Sequence, residues 1–330
     1  MDTQLNKNTG RESEAGELTA ALARYRTELT GYCYRMLGSA FEAEDAVQET
    51  WLRAWRGHSE FEGRASLRSW LYRIATNVCL NMVSARQRRA RPMDLGPAWS
   101  ADAAIGAALD QATWLEPVPD SLVLPSSGDP AQQALARETV RLAFLAALQL
   151  LPPKQRAVLI LREVLAWQAD EVAELLSTSV ASVNSALQRA RATLASRPEA
   201  AIPDTPRAHE GELLERYVDA FERWDIDRLV SLLHEDATQS MPPYALWLQG
   251  AEEIRRWWNG PGKGCAGSHL RVIAANGCPA VAQWRPSGPD GSFEPFAIHV
   301  LEIERGRIVR HNSFLDVARL FPLFGLPLRP

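Results

Sequence analysis

Residues 92–136 constrain the architecture more than any other stretch of the chain. They carry Pro92, Pro97, Pro117, Pro119, Pro125 and Pro130 together with six acidic residues, and no lysine or arginine. Proline removes a backbone donor and biases the residue before it away from helix, so a stretch punctuated this way neither continues a helix nor sits inside a sheet. The chain must therefore fold as separate modules around a tether, and 330 residues suffice for two or three modules with their own cores. A second proline-rich stretch, RPEAAIPDTPRA (197–208), divides the rest. The expected order is a disordered leader (1–17), a helical module (18–91), an acidic linker (92–131), a second helical module (132–197), a short linker (198–208) and a C-terminal domain (209–330).

In the first module, Leu22, Tyr25, Leu29, Tyr32, Cys33 and Met36 recur at helical spacing up to Gly38. A second helix follows, with Ser39 as cap, Glu42 and Asp45 near its positive end and Gly57 closing it. Phe41, Val47, Trp51, Leu52 and Trp55 are its expected buried stripe; Asp45, Gln48, Glu49 and Arg53 lie on the other face. The third helix falls in RASLRSWLYRIATNVCLNMVSARQRRAR (64–91), which holds seven arginines and no acid. Like charges at this density call for an anion, and the amides of Asn77 and Asn81, one turn apart, point the same way. This is the pattern of a nucleic-acid surface.

The second module ends in a helix-turn-helix pattern. Gln168–Leu176 is a short helix, Ser177–Ser179 a turn with its own cap, and Val180–Leu194 a longer helix whose buried edge is Val180, Val183, Leu187, Ala190 and Leu194. Ser179, Ser182, Asn184, Ser185, Gln188 and Arg189 remain outside without an acid among them, as base and phosphate contacts require. The last domain opens with helices at 210–224, 227–233 and 250–257. Strand signals then run from His269 to Asp316, with a hairpin turn at Arg305-Gly306. Helices followed by a curled antiparallel sheet make it α+β.

DAVQETWLRAW (45–55), FEGRASLRSWLYRIATNVCLN (61–81) and the basic run after them resemble the second conserved region of bacterial sigma factors of the extracytoplasmic-function group. LLPPKQRAVLILREVLAWQADEVAELLSTSVASVNSALQRAR (150–191) resembles the fourth region of the same family. LLERYVDAFERWDIDRLVSLLHEDATQSMPP (213–243) is similar to the opening of the SnoaL-like, ketosteroid-isomerase-type cone fold, which some members of the family carry. The resemblance implies a multidomain chain, with two all-α modules followed by an α+β SnoaL-like cone. It implies docking on the polymerase clamp through Asp45, Gln48, Glu49 and Arg53, and flap contact by the second module. It also implies capture of a flipped base of the minus-ten element near Phe61, Arg64, Ser66 and Asn77, with Asn81, Arg86, Arg88 and Arg89 holding strand and phosphates. Ser179 to Arg189 would read the minus-thirty-five element, and the acidic linker would thread the RNA exit path.

In the cone, Trp284, His299, His311 and Asp316 are the candidate pocket residues for an unknown small ligand, and the apolar tail VARLFPLFGLPLRP should pack on another surface, one of the helical modules being the first candidate. The four cysteines show neither metal-ligand nor disulfide-framework spacing, so no cofactor and no metal is expected. No stretch reaches the length of a membrane span, and a cytoplasmic protein is expected. The functional expectation is a non-enzymatic initiation factor that binds core RNA polymerase and promoter DNA. Two alternatives stay open: a ligand-sensing helix-turn-helix regulator that never joins polymerase, and a SnoaL-type enzyme with a DNA-binding passenger.

Overall fold

The computed structural model describes residues 2–58, 61, 66–84, 88–196, 210–287 and 289–330; for 2–18, 21 and 289 it describes the backbone alone. The helices are α1 (Asp2–Leu37), α2 (Ala40–Gly57), α3 (Leu67–Ser84), α4 (Asp120–Val123), α5 (Pro130–Glu138), α6 (Leu142–Gln149), α7 (Pro153–Leu159), α8 (Ala169–Leu175), α9 (Val180–Ala195), α10 (Glu210–Glu222), α11 (Ile226–Ser231), α12 (Ala251–Asn259) and α13 (Val317–Leu323). The strands are β1 (Leu233–Ser240), β2 (Trp247–Gln249), β3 (His269–Ala275), β4 (Cys278–Pro286), β5 (Phe293–Glu304) and β6 (Arg307–Phe314). They divide into two compact units, one of residues 1–86, 121–133 and 151–196, the other of 87–120, 134–150 and 197–330.

In the first unit α1, α2 and α3 bury the apolar stripes their periodicity predicts: Leu29, Tyr32, Cys33 and Met36 meet Ala43, Ala46 and Val47, and Leu71, Tyr72, Ala75 and Val78. Gly38, at φ +73°, lets the chain leave α1, and Ser39 accepts the Glu42 N–H at 3.2 Å to start α2. Helix α1 starts at Asp2, where a disordered leader was expected; its first turns contain no proline and extend a helix already nucleated by the buried half. The same unit contains the helix-turn-helix. α7 begins with Pro153 at its first position and continues into a π turn over Ile160–Val164. Trp167 then packs its ring on Tyr72 of α3, with centroids 5.0 Å apart, under the Arg68 guanidinium. Arg73 pairs with Glu174 at 3.1 Å, and the buried Arg156 guanidinium donates to the Met36 carbonyl. The two helical modules therefore share one core.

The second unit is built on a six-stranded sheet in the order β2-β1-β6-β5-β4-β3, antiparallel except for the parallel β1–β6 pair. Alternation along the strands sends Gln283, His299 and His311 toward α10 and α12 and Trp284 to the opposite face. There Trp284 meets Phe321 of α13 edge to face, with centroids 5.1 Å apart, and donates to the Pro327 carbonyl. The C-terminal tail thus packs on the cone's own sheet, not on a helical module. Both tight hairpins use consecutive left-handed residues, Asn276-Gly277 (φ +55° and +65°) and Arg305-Gly306 (+50° and +72°), as primed turns require.

The acidic segment does not hang free of this sheet. Trp99 N–H bonds the Trp247 carbonyl at 2.8 Å, Leu109 N–H the Pro243 carbonyl at 2.9 Å, and Pro119 bridges Ala275. Trp114, Leu115 and Val118 are buried, so a stretch that proline keeps extended still supplies apolar anchors. The apolar-faced run from Ala136 to Pro152 is not one helix; α5 and α6 are parted at Thr139–Arg141, where the Thr139 hydroxyl bonds the Leu135 and Ala136 carbonyls and the Val140 carbonyl turns to accept from Asn276 at 2.8 Å. Residues 134–150 accordingly belong with the cone, and 151–196 with the first helices.

Candidate functional site

The outer face of α2 is the first candidate surface. Asp45, Gln48, Leu52, Arg53 and Trp55 are exposed and Glu49 half-buried, so they form one stripe at steps of three and four residues. Arg53 Nε bonds Glu49 Oε1 at 2.7 Å. Leu52 and Trp55 were expected inside; they are 52% and 51% exposed, and among the described residues of the first unit no helix covers them. Periodicity alone assigned this apolar pair to the core, and the fold leaves it exposed beside the acids of α2.

On α3, Asn77 and Asn81 are both exposed on consecutive turns. Ser66 caps the helix, accepting the Ser69 N–H at 3.1 Å, and Phe61 packs on Trp70 with centroids 4.9 Å apart. Arg64 and Arg86 lie outside the described residues. Arg88 is exposed, but Arg89 is not available to a phosphate: it is 7% exposed and donates to the carbonyls of Trp114 at 2.6 Å and Gln111 at 3.1 Å. Arg68 pairs with Glu28, Arg73 with Glu174, and Arg91 with Asp94. The arginine run lacks acids only in sequence; the fold brings acids to it from distant segments, and much of the positive charge is neutralised internally.

The third surface is the helix-turn-helix. Gln168 and Glu171 form a capping box at the start of α8, and Ser179 accepts the Ser182 N–H at 3.1 Å to start α9. Val183, Ala186, Leu187 and Ala190 bury the inner edge, while Ser179, Ser182, Asn184, Ser185, Gln188 and Arg189 are all exposed. Val180, expected on the buried edge, is 42% exposed at the helix tip. The N-terminal half of α9 thus presents an exposed, acid-free face that is polar apart from Val180 and Ala181.

In the cone, a cavity of about 230 Å³ opens between the sheet and α10 and α12. His299 and His311 line it; Trp284 and Asp316 do not. Trp284 points through the other face, and Asp316 lines a separate small crevice with Trp114–Pro117. One hydrogen-bond chain fixes both imidazoles. Ser268 donates to the Cys265 carbonyl, Gln283 Nε2 donates to Ser268, and Gln283 Oε1 therefore accepts from His299 Nε2 at 2.7 Å. Nδ1 of His299 must accept from Ser313, at 2.9 Å. Ser313 in turn accepts from His311 Nδ1 at 3.2 Å, and Tyr217 donates to His311 Nε2 at 2.7 Å. Every ring nitrogen is engaged and both rings are neutral. Burial pushes His311 down to about 4, and burial, followed by the neighbouring His311, pushes His299 well below the usual range. Neither ring keeps a free lone pair for proton abstraction.

Three family profiles match in chain order: Sigma-70 region 2 over residues 21–89, Sigma-70, region 4 over 141–194, and SnoaL-like domain over 214–311. The chain is similar to the ECF RNA polymerase sigma factor SigG of Mycobacterium tuberculosis, at 46% identity over 98% of this chain and 88% of that protein. ECF RNA polymerase sigma factor SigJ of the same organism is 33% identical over 64% of this chain and 61% of its own length. The crystal structure of M. tuberculosis SigJ shares the fold, with a TM-score of 0.60 at 23% identity, covering 94% of this chain and 98% of that one.

Proposed function

Because the chain belongs to the extracytoplasmic-function RNA polymerase sigma factors, we propose that α2 docks on core polymerase through Asp45, Gln48, Glu49, Leu52, Arg53 and Trp55. Sigma factors bind core polymerase and promoter DNA, and this chain holds both conserved regions that do so. In this reading Phe61, Ser66, Asn77, Asn81 and Arg88, with Arg64 and Arg86, hold the opened minus-ten strand. Arg89 is withdrawn from that set, since its guanidinium already caps carbonyls. The face from Ser179 to Arg189 reads the minus-thirty-five element. The exposed, acid-free first half of α9 is the observation that carries the reading.

The cone tunes initiation by holding the linker and supplies no chemical step; its satisfied histidines favour a structural role for that pair over catalysis. The protein works in the cytoplasm, where polymerase is, and none of the described helices is long and apolar enough to cross a membrane. The test is run-off transcription with core polymerase and the full chain. Asp45→Arg combined with Glu49→Arg should abolish polymerase binding and transcript together, while Asn184→Ala with Arg189→Ala should spare polymerase binding and lose promoter selectivity. Unchanged polymerase binding by the first pair would refute the docking assignment.

A further inference from the structure

The cone cavity has walls of a distinct chemistry. Phe221, Trp224, Tyr244, Trp257, Trp258 and Phe296 present rings to it, no Asp or Glu lines it, and the two histidines facing it are saturated by their own network. Two lining groups are left without partners. Gln239 is 3% exposed, and its Oε1, beside His311 in the β1–β6 register, accepts nothing. Arg285 lies with its guanidinium 4.2 Å over the Phe296 ring, its Nε buried and unbonded, and no carboxylate pairs with it among the described residues. Its cross-strand neighbour Glu294 is instead bonded to Ser287.

A buried acceptor without a donor costs about 1–3 kcal/mol, a cost that a ligand hydroxyl would remove. An Arg stacked on a ring without a counter-charge is a receptor for a carboxylate. β1 and β4 are separated by β6 and β5, and the registers also set Arg285, level with Glu294, well along the sheet from Gln239, level with His311 and Leu301, so the two groups stand at opposite ends of the space and only their long side chains converge on it. A cavity of about 150 Å³ takes benzene, so one of this size takes about two fused rings. Flat aromatic walls select a flat aromatic occupant.

We propose that this cavity is a receptor site for a planar bicyclic aromatic acid with a hydroxyl at the end remote from the acid group. The hydroxyl donates to Gln239 Oε1 and the carboxylate binds Arg285. The occupant also touches Ile105, which reaches the cavity from the linker between its two ties at Trp99 and Leu109. Binding is thereby felt by the segment that joins the two promoter-reading modules. The site stands independently of the polymerase-docking assignment.

The test is isothermal titration of the full chain with 6-hydroxy-2-naphthoate, compared with 2-naphthoate, 2-naphthol, 3-hydroxy-2-naphthoate and decanoate. One-to-one binding of the first is expected. Removing either polar group, or moving the hydroxyl next to the acid, should weaken it about tenfold, the loss of one hydrogen bond. Gln239→Leu should erase the preference for the hydroxyl without changing 2-naphthoate affinity. Arg285→Met should erase the preference for the acid; that residue is only partly buried, so the test survives if the first variant fails to fold. No heat up to millimolar ligand, equal binding of decanoate, or an affinity order unchanged in Arg285→Met would overturn the proposal. No polymerase is present, so failure of the docking assignment would leave this result intact.

Discussion

Asn276→Ala isolates the grip of the cone on the linker. Asn276 is fully buried; its Oδ1 accepts the Val118 N–H at 3.1 Å and its Nδ2 donates to the Val140 carbonyl at 2.8 Å. The side chain thus joins the end of the linker and the α5–α6 break to the β3–β4 turn. Truncation leaves an amide and a carbonyl unpaired in a dry place, at about 1–3 kcal/mol each. Alanine must also hold φ +55°, which asparagine tolerates better, adding about 1 kcal/mol. The sum is about 4 kcal/mol, which for a unit of this size lowers its melting transition by about 10 °C. Calorimetry on the full chain measures it, with Asn276→Gly as the control. Glycine removes both bonds but holds φ +55° without strain, so it should recover only the backbone part, about 1 kcal/mol. Limited proteolysis should then cut the linker between Trp99 and Val118 faster, and run-off transcription should rise as the linker is freed. A loss below about 1 kcal/mol for alanine, or wild-type stability in glycine, would refute the assignment of the grip to these two bonds.

Gly277→Ala tests the same junction sterically: an added Cβ would sit 2.5 Å from the Arg137 carbonyl oxygen at φ +65°, so urea midpoints should fall at least as far as for Asn276→Ala. The cone should be acid-sensitive in two steps. His311 is held near 4 when folded against about 6.5 unfolded, so stability is complete above pH 6.5 and declines by about 3 kcal/mol as pH falls toward 4. Burial alone would raise the Glu302 carboxyl, but Arg310, Arg141 and Arg91 outweigh it and hold it below the usual range, so its contribution is lost only at still lower pH. His299 is also held well below the usual range and adds to the same decline, so His311→Gln should reduce the slope of the first step by about half in a pH series of denaturation midpoints, and the double change with His299→Gln should flatten it. Arg189→Ala should weaken promoter DNA about tenfold or more and reduce the salt dependence of binding by about one counterion, while Arg89→Ala should leave that slope unchanged and lower stability instead.

Much of this was legible because it is local. α2, α8 and α9 announce themselves through caps and 3.6-residue periodicity, and the Arg305-Gly306 hairpin through its turn chemistry. β1 and β2 were not legible: HEDATQSM has no apolar alternation, and the strand exists because β6 lies parallel to it and supplies its hydrogen bonds. Asp316 and Trp284 were placed in the cavity from residue type, whereas the strand pleat and the path after β6 carry them elsewhere. Arg89 and Leu52 misled for a shared reason. Charge and apolarity say what a side chain needs, and only the tertiary neighbourhood says whether it finds it.

The ring contact between Trp167 and Tyr72 reaches beyond stability. Tyr72 belongs to the stretch that matches the second sigma region and Trp167 to the stretch that matches the fourth, so any rearrangement that separates the two must first part these rings and the Arg73–Glu174 pair and wet two aromatic faces.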